Sequence, residues 1–247
     1  MYLWVHKLGS PRYFYSFARV VAPLLAVFCA VTMVWGLYQG LVVAPTDYQQ
    51  GESYRIMYVH VPAAWMSMFI YVVMAFASAI SLIWHIKLAD LIAQKSAPIG
   101  ATFTFLALAT GSLWGKPMWG TWWVWDARLT SELVLLFLYL GYMALHEAYD
   151  NPSTGAKAAA ILALVGVVNI PIIHFSVEWW HTLHQSASVS KLGKPSMPSS
   201  MLVPLLVMAV SFKAFYGTVL LWSVQAKVLE REYRSKWVRE LLLGAKT

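Results

Sequence analysis

Stretches free of Lys, Arg, Asp and Glu recur along the chain at the length a bilayer requires. Residues 20–46 form the first, 56–86 the second and 96–115 the third. The fourth, 129–146, is interrupted only by Glu132 near its start. The fifth, 158–177, contains Asn169 and Pro171, and the sixth, 195–226, has Lys213 in its middle. A spanning helix takes about 20 mostly apolar residues. The pattern therefore predicts an all-α integral membrane protein, a bundle of about six transmembrane helices in a single transmembrane domain. Its spans are expected close to 20–43, 58–84, 97–114, 129–146, 158–176 and 201–224. Basic residues precede the first apolar run, as in a signal peptide. That run is longer than a typical signal-peptide core and has no clear small-residue cleavage site, so it is expected to remain as a span.

Composition agrees with this reading. Hydrophobic residues make up 60% of the 247 and charged residues 12%, against about 45–50% and 25% in soluble domains. A soluble fold of this size has no core large enough for that much apolar surface, and intrinsic disorder is excluded. The single cysteine, Cys29, lies in the first apolar run. An internal disulfide is impossible, and without a C-x-x-C-H motif the chain cannot hold haem through thioethers of its own.

Charge supplies orientation. With both termini on one side, twelve of the eighteen Lys and Arg fall on that side and five on the other, with Lys213 in a span. The positive-inside rule then places both termini in the cytoplasm of a bacterial inner membrane. The net charge of +7 is thus an expression of topology, with no sign of nucleic-acid binding, because the basic residues are dispersed over loops and a tail. That tail, 227–247, mixes Leu229, Tyr233, Trp237, Leu241 and Leu242 with six basic residues and is expected to lie as an amphipathic helix on anionic membrane lipid. The inner loops, 87–95 and 147–157, are short and polar. The outer face receives 45–55, 114–128 and 176–200.

The candidate chemistry lies on that outer face. Residues 114–126 contain five tryptophans, Trp114, Trp119, Trp122, Trp123 and Trp125, where an interfacial belt accounts for about two. So dense a run offers a broad apolar surface at the membrane boundary, suited to a flat aromatic ligand because ring stacking adds to burial. Gly115, Gly120 and Pro117 are expected to keep the segment from being an ordinary helix. The preceding Gly111-Ser112-Leu113-Trp114-Gly115-Lys116 is one residue short of a phosphate-binding loop, and Pro117 stands where Ser or Thr would bind magnesium. ATP hydrolysis by this chain is excluded.

Of seven histidines, His6, His85 and His146 read as tail or inner-end residues. His60 stands at the outer end of the second span, two residues before Pro62. His174, His181 and His184 lie at or beyond the outer end of the fifth, and His181 and His184 share a face if that segment is helical. Zinc would want three or four such ligands, and no zinc-hydrolase motif accompanies them. Iron held between two imidazoles needs only His60 and one partner, and it makes use of the tryptophans. A non-covalent haem b therefore fits better than zinc. Its carboxylates favour arginine, which brings in Arg55 and Arg128, although either could instead neutralise Asp47, Asp126 or Glu132. Asp126 is also a candidate loop anchor. Glu132 and Lys213, ionisable groups near or within spans, are functional suspects by default, and neither receives a role.

The run Trp119-Gly120-Thr121-Trp122-Trp123-Val124-Trp125-Asp126-Ala127-Arg128-Leu129-Thr130 resembles the tryptophan-rich "WWD" signature of haem-handling membrane proteins in cytochrome c biogenesis. Length, six expected spans and flanking histidines resemble the CcmC branch. The likeness extends through Gly51-Glu52-Ser53-Tyr54-Arg55-Ile56 before His60 and Ile170-Pro171-Ile172-Ile173-His174 before His184. It implies haem bound on the tryptophan segment 114–130 with His60 and His184 as axial ligands of the iron. It further implies delivery of haem to the periplasmic chaperone CcmE, and work beside CcmD and the ABC-transporter components CcmA and CcmB. The expected mechanism is capture and presentation, with no general acid–base pair that would mark an enzyme. Two other functions compete: a transporter passing haem through the bundle, for which Asn169, Lys213 and Glu132 make a thin polar path, and a b-type electron carrier, which would want histidine pairs deeper in facing helices.

Overall fold

A computed structural model describes residues 9–185, 188–189 and 193–243 of the chain. His6, Lys191 and the tail end, 244–247, lie outside the described residues. Eight α-helices are found among the described residues: α1 (Pro11–Tyr38), α2 (Met57–Trp84), α3 (Lys87–Trp119), α4 (Ala127–Glu147), α5 (Pro152–Gly166), α6 (Asn169–Trp179), α7 (Ser199–Arg231) and α8 (Lys236–Leu243). A π-helical turn, Gln39–Val43, continues α1, and a 3-10 turn, Glu52–Ile56, leads into α2. Six of the helical stretches are long and apolar enough to cross a membrane, with α5 and α6 together making the fifth.

The helices outrun the charge-free stretches from which the spans were read. α3 has 33 residues, and at 1.5 Å per residue it is about 50 Å long, well beyond the ~30 Å hydrocarbon core. Its ends therefore reach water, which is why Lys87, Asp90 and Lys95 sit on helix where a polar loop was expected. Likewise Pro117 lies within α3, and the helix continues to Trp119 before Gly120 stops it in the left-handed conformation (φ 76°) that only glycine adopts without strain. The expectation that the whole tryptophan segment avoids helix holds only from Gly120 onward.

α2 is the central helix, packing on α3 most extensively and also on α5 and α7. Its buried face carries Met66, Ile70, Tyr71 and Met74. α1 is peripheral and packs chiefly on α7. Along that seam α1 presents the small residues Ala18, Ala22, Cys29 and Gly36, and the Cys29 thiol reaches the Ser211 carbonyl at 3.4 Å. Small residues let helix backbones approach closely in lipid, where no hydrophobic force drives helices together. On the opposite side Val20, Leu24, Val27, Val31 and Val34 are all at least 60% exposed, a stripe at helical spacing left to the acyl chains.

Between α5 and α6 the chain turns at Val167 and Val168. Asn169, the first residue after the break, donates from Nδ2 to the Ser131 carbonyl of α4 at 2.9 Å, tying the start of α6 to α4. The tail differs from its expected form: α7 continues through Arg231, a turn follows, and only then does α8 begin. Trp237 of α8 meets Tyr15 of α1 with ring centroids 5.7 Å apart, and Val238 is fully buried. The tail folds back on the bundle as well as offering an amphipathic face.

Candidate functional site

One end of the bundle gathers the residues that carry chemistry. His60 occupies the first turns of α2, and Gly111 of α3 lies directly against it. A Cβ built on Gly111 would stand 2.9 Å from His60 Cε1, so glycine is what allows the α3 backbone to approach the imidazole face. His60 Nδ1 is 3.0 Å from the Ala107 carbonyl oxygen and 3.1 Å from Thr110 Oγ1. A carbonyl can only accept, so Nδ1 carries the proton. Thr110 spends its own proton on the Leu106 carbonyl at 2.6 Å, which leaves the hydroxyl free to accept too. The lone pair of the neutral ring is therefore on Nε2.

His184 reaches the same state by a different route. The helix that brings the chain outward ends at Trp179, so His181 and His184 lie in irregular backbone and do not share a helical face. His184 is fixed by Asp126, whose Oδ2 is 3.1 Å from Nδ1. The other oxygen, Oδ1, accepts from the Leu129 amide at 2.8 Å and caps α4. One carboxylate thus starts a helix and orients an imidazole. Burial pushes the His184 pKa below its ordinary value, the opposing pull of Asp126 notwithstanding. The ring is neutral near pH 7, Nδ1–H donates to the carboxylate, and Nε2 again holds the lone pair.

Both histidines line a single small cavity of about 70 Å³, together with Arg128, Glu132, Met68 and Ile173. Arg128 donates to the Ile173 carbonyl at 3.4 Å and has no carboxylate within ion-pair distance among the described residues. Glu132, one turn further along α4, is buried and accepts from Ser67 Oγ at 2.7 Å. Ser67 in turn accepts at its carbonyl from Tyr139 Oη at 2.7 Å. The cavity thus brings a guanidinium without a carboxylate ion-pair partner among the described residues beside two imidazoles.

The tryptophans surround this centre unequally. Trp119 packs edge-on against His184, centroids 4.8 Å apart. Trp114 packs edge-on against His60 at 5.7 Å and donates its indole N–H to Gln50 Oε1 at 2.9 Å. Trp123 and Trp125 meet at 5.4 Å with planes 76° apart, so the rings do not form one flat surface. Trp122 and Trp125 are 53% and 76% exposed, while Trp123 Nε1 is buried with no acceptor among the described residues. Arg55 stands apart. It pairs with Glu52, donates to the Gly40 carbonyl at 2.9 Å and does not line the cavity. His174 packs on Phe175.

The donor set fits a porphyrin iron: two imidazoles whose Nδ1 atoms are engaged elsewhere, and an arginine with no carboxylate ion-pair partner among the described residues. The cavity itself is far smaller than the ~300–1,000 Å³ of sites that enclose such ligands. A macrocycle therefore needs room beyond it.

The sequence model of the family described as "Heme exporter protein C" matches residues 4–239. The chain belongs to that family. Among curated relatives it is 51% identical over 241 residues to "Heme exporter protein C" of Haemophilus influenzae, covering 98% of each chain. It is 53% identical over 228 residues to the protein of the same name from Bradyrhizobium diazoefficiens, covering 92% of this chain and 86% of the relative. A "Putative cytochrome c biosynthesis ccmC-like mitochondrial protein" of Marchantia polymorpha is 44% identical over 229 residues, 93% of this chain and 97% of that one. Family membership and six apolar helices together make this a multi-pass inner-membrane protein.

Sequence reasoning missed Gly111, Thr110, Ala107 and Ser67. A glycine one helical turn beyond the Ala107 carbonyl carries no signal until the neighbouring helix is placed. Glu132 did carry one, as a carboxylate in an apolar span one turn beyond Arg128.

Proposed function

We propose that this chain captures haem at the tryptophan-bearing end of the bundle and presents it to the periplasmic chaperone CcmE. A role in haem handling for cytochrome c maturation follows from the family. Delivery to CcmE, and work beside CcmD, CcmA and CcmB in an ABC-type assembly, are our reading of how that role is carried out.

The observation that carries it is the matched state of two histidines from distant parts of the chain. Each commits Nδ1–H to an acceptor-only oxygen, Ala107 carbonyl or Asp126 carboxylate, and both line one cavity. Metal-bound histidines are held this way, because the outer hydrogen bond fixes the tautomer and raises ligand basicity. When bound, haem supplies an iron that accepts two nitrogen lone pairs. His60 and His184 would hold that iron, and Arg128 would take a carboxylate of the same cargo in a dry, charge-assisted contact. Trp119 and Trp114 brace the imidazoles, and Trp122 and Trp125 are left outward for the incoming partner. The chain contributes position, and position alone makes a transfer between two proteins effectively intramolecular.

Absorption spectroscopy of detergent-purified protein with His60→Ala and His184→Ala tests this. A bis-imidazole spectrum that shifts or vanishes in both variants is the expected result. Haem retained with unchanged spectra in both would refute the ligand assignment.

A further inference from the structure

The opposite end of the bundle holds a second and much larger opening. A groove of about 850 Å³ lies where α1 begins, α2 ends, α3 begins and α7 ends. Its wall is formed by Phe76, Ile80 and Trp84 of α2, with Phe76 and Trp84 68% and 64% exposed. Its floor is Leu88, Leu91 and Val228, which belong to a small separate buried cluster. The volume lies within the ~300–1,000 Å³ of sites that enclose a small ligand, and the lining above the rim is almost wholly apolar.

The rim is charged. Lys87, Arg231, Glu232 and His85 line it. Among the described residues neither Lys87 nor Arg231 has an ion-pair partner, although cations elsewhere on the same face are paired, Lys227 with Glu230 and Lys236 with Glu240. Two free cations against one carboxylate leave a single positive charge at the mouth of an apolar groove. By the distribution of Lys and Arg this is the cytoplasmic end, where anionic lipid is the abundant partner for basic pockets between helices.

We infer that this groove is a binding site for one glycerophospholipid of the inner leaflet with an anionic phosphodiester and an uncharged headgroup. Lys87 and Arg231 hold the phosphate, and the acyl chains lie along Phe76, Ile80 and Trp84. Charge complementarity selects the occupant. One phosphodiester balances the rim, whereas a choline or ethanolamine headgroup adds a cation that only Glu232 could receive. The site is independent of the haem reading, since it lies at the other end of the bundle and shares no residue with it.

Native mass spectrometry of the full chain, with phosphatidylglycerol and phosphatidylcholine supplied at equal concentration, tests the proposal. Preferential retention of phosphatidylglycerol is expected. Lys87→Gln with Arg231→Gln lowers that retention about thirtyfold, at the per-residue worth of a basic group beside anionic lipid. Glu232→Gln raises it, and Arg234→Gln with Lys236→Gln leaves it unchanged. Equal retention of phosphatidylcholine, or an equal loss in the Arg234/Lys236 pair, would show ordinary annular lipid and overturn the site. Displacement of the lipid by inorganic phosphate alone would overturn it in favour of a free-anion site. A photoreactive group at Phe76 is expected to label lipid in membranes, and labelling of a protein there would mean that a partner helix fills the groove.

Discussion

Both ends of this bundle carry a half-buried histidine beside a carboxylate, and the two imidazoles are held in different ways. At the tryptophan-bearing end His184 Nδ1 meets Asp126 at 3.1 Å. At the other end His146 Nε2 lies 3.7 Å from Asp90, and Nδ1 is 3.3 Å from Gln94 Nε2. The amide of Gln94 donates, so His146 Nδ1 accepts and its proton sits on Nε2 facing the carboxylate. His146 is therefore in the opposite tautomer from His60 and His184. The difference teaches that which imidazole nitrogen keeps its lone pair, and so what the ring offers a metal, depends on what the other nitrogen bonds to.

Asp126→Asn breaks the comparison most strongly. Asparagine can still cap α4 through its oxygen, but its NH2 faces His184 and drives the ring toward the tautomer of His146. Haem retention is expected to fall about 10–100-fold, the usual loss when an outer-shell partner of a ligand is removed. His146→Ala, made in parallel, leaves the spectrum untouched. Titration of purified protein with haem measures both, and an unaltered affinity in Asp126→Asn would mean that the carboxylate only caps the helix.

Gly111→Ala acts more gently, on the His60 side. The added Cβ would fall 2.9 Å from a rigid ring, so the imidazole or α3 has to shift. Overpacking of this kind costs about 1–3 kcal/mol, and the haem spectrum should broaden or shift while the fold persists. Thermal unfolding followed by tryptophan fluorescence separates the two effects. Gly217→Ala in α7, whose added Cβ would meet only the flexible end of Leu25 at 3.2 Å, should leave the haem spectrum unchanged.

The sequence made the fold legible and the site only half so. Apolar runs are a one-dimensional property, and the described residues hold six helices long and apolar enough to cross a membrane, the number read from them. The ends went wrong where charges sit on helix in water, as at Lys87–Lys95, because counting charges cannot tell a helix end from a loop. Trp119, Asp126 and Arg128 stand next to each other in sequence and were found together. His60 and His184 are 124 positions apart, and their convergence was implied by family resemblance, while the group that orients His60 is the Ala107 backbone carbonyl, which no sequence pattern distinguishes. Arg55 failed as a neighbour of the site for a local reason: Glu52, three residues back, claims it first.

The smallest effect is also the most discriminating about His184. An imidazole paired with a carboxylate in the open would have a raised pKa and carry charge near neutrality, and iron would then compete with a proton from pH 7 downward. Burial wins here, and the His184 pKa lies below its ordinary 6.5. The unfolded chain therefore binds the proton first as the pH falls. Stability linked to His184 is fully present above pH 6.5 and is lost as acidification proceeds from there through the lowered native value. Haem retention should accordingly be flat from pH 8 to about 6.5 and decline only below it, approaching tenfold per pH unit once the proton competes directly with iron. A decline already under way between pH 8 and 7 would place His184 in a wetter setting than the one Trp119 and Asp126 make, and would return it to the class of ordinary interfacial histidines.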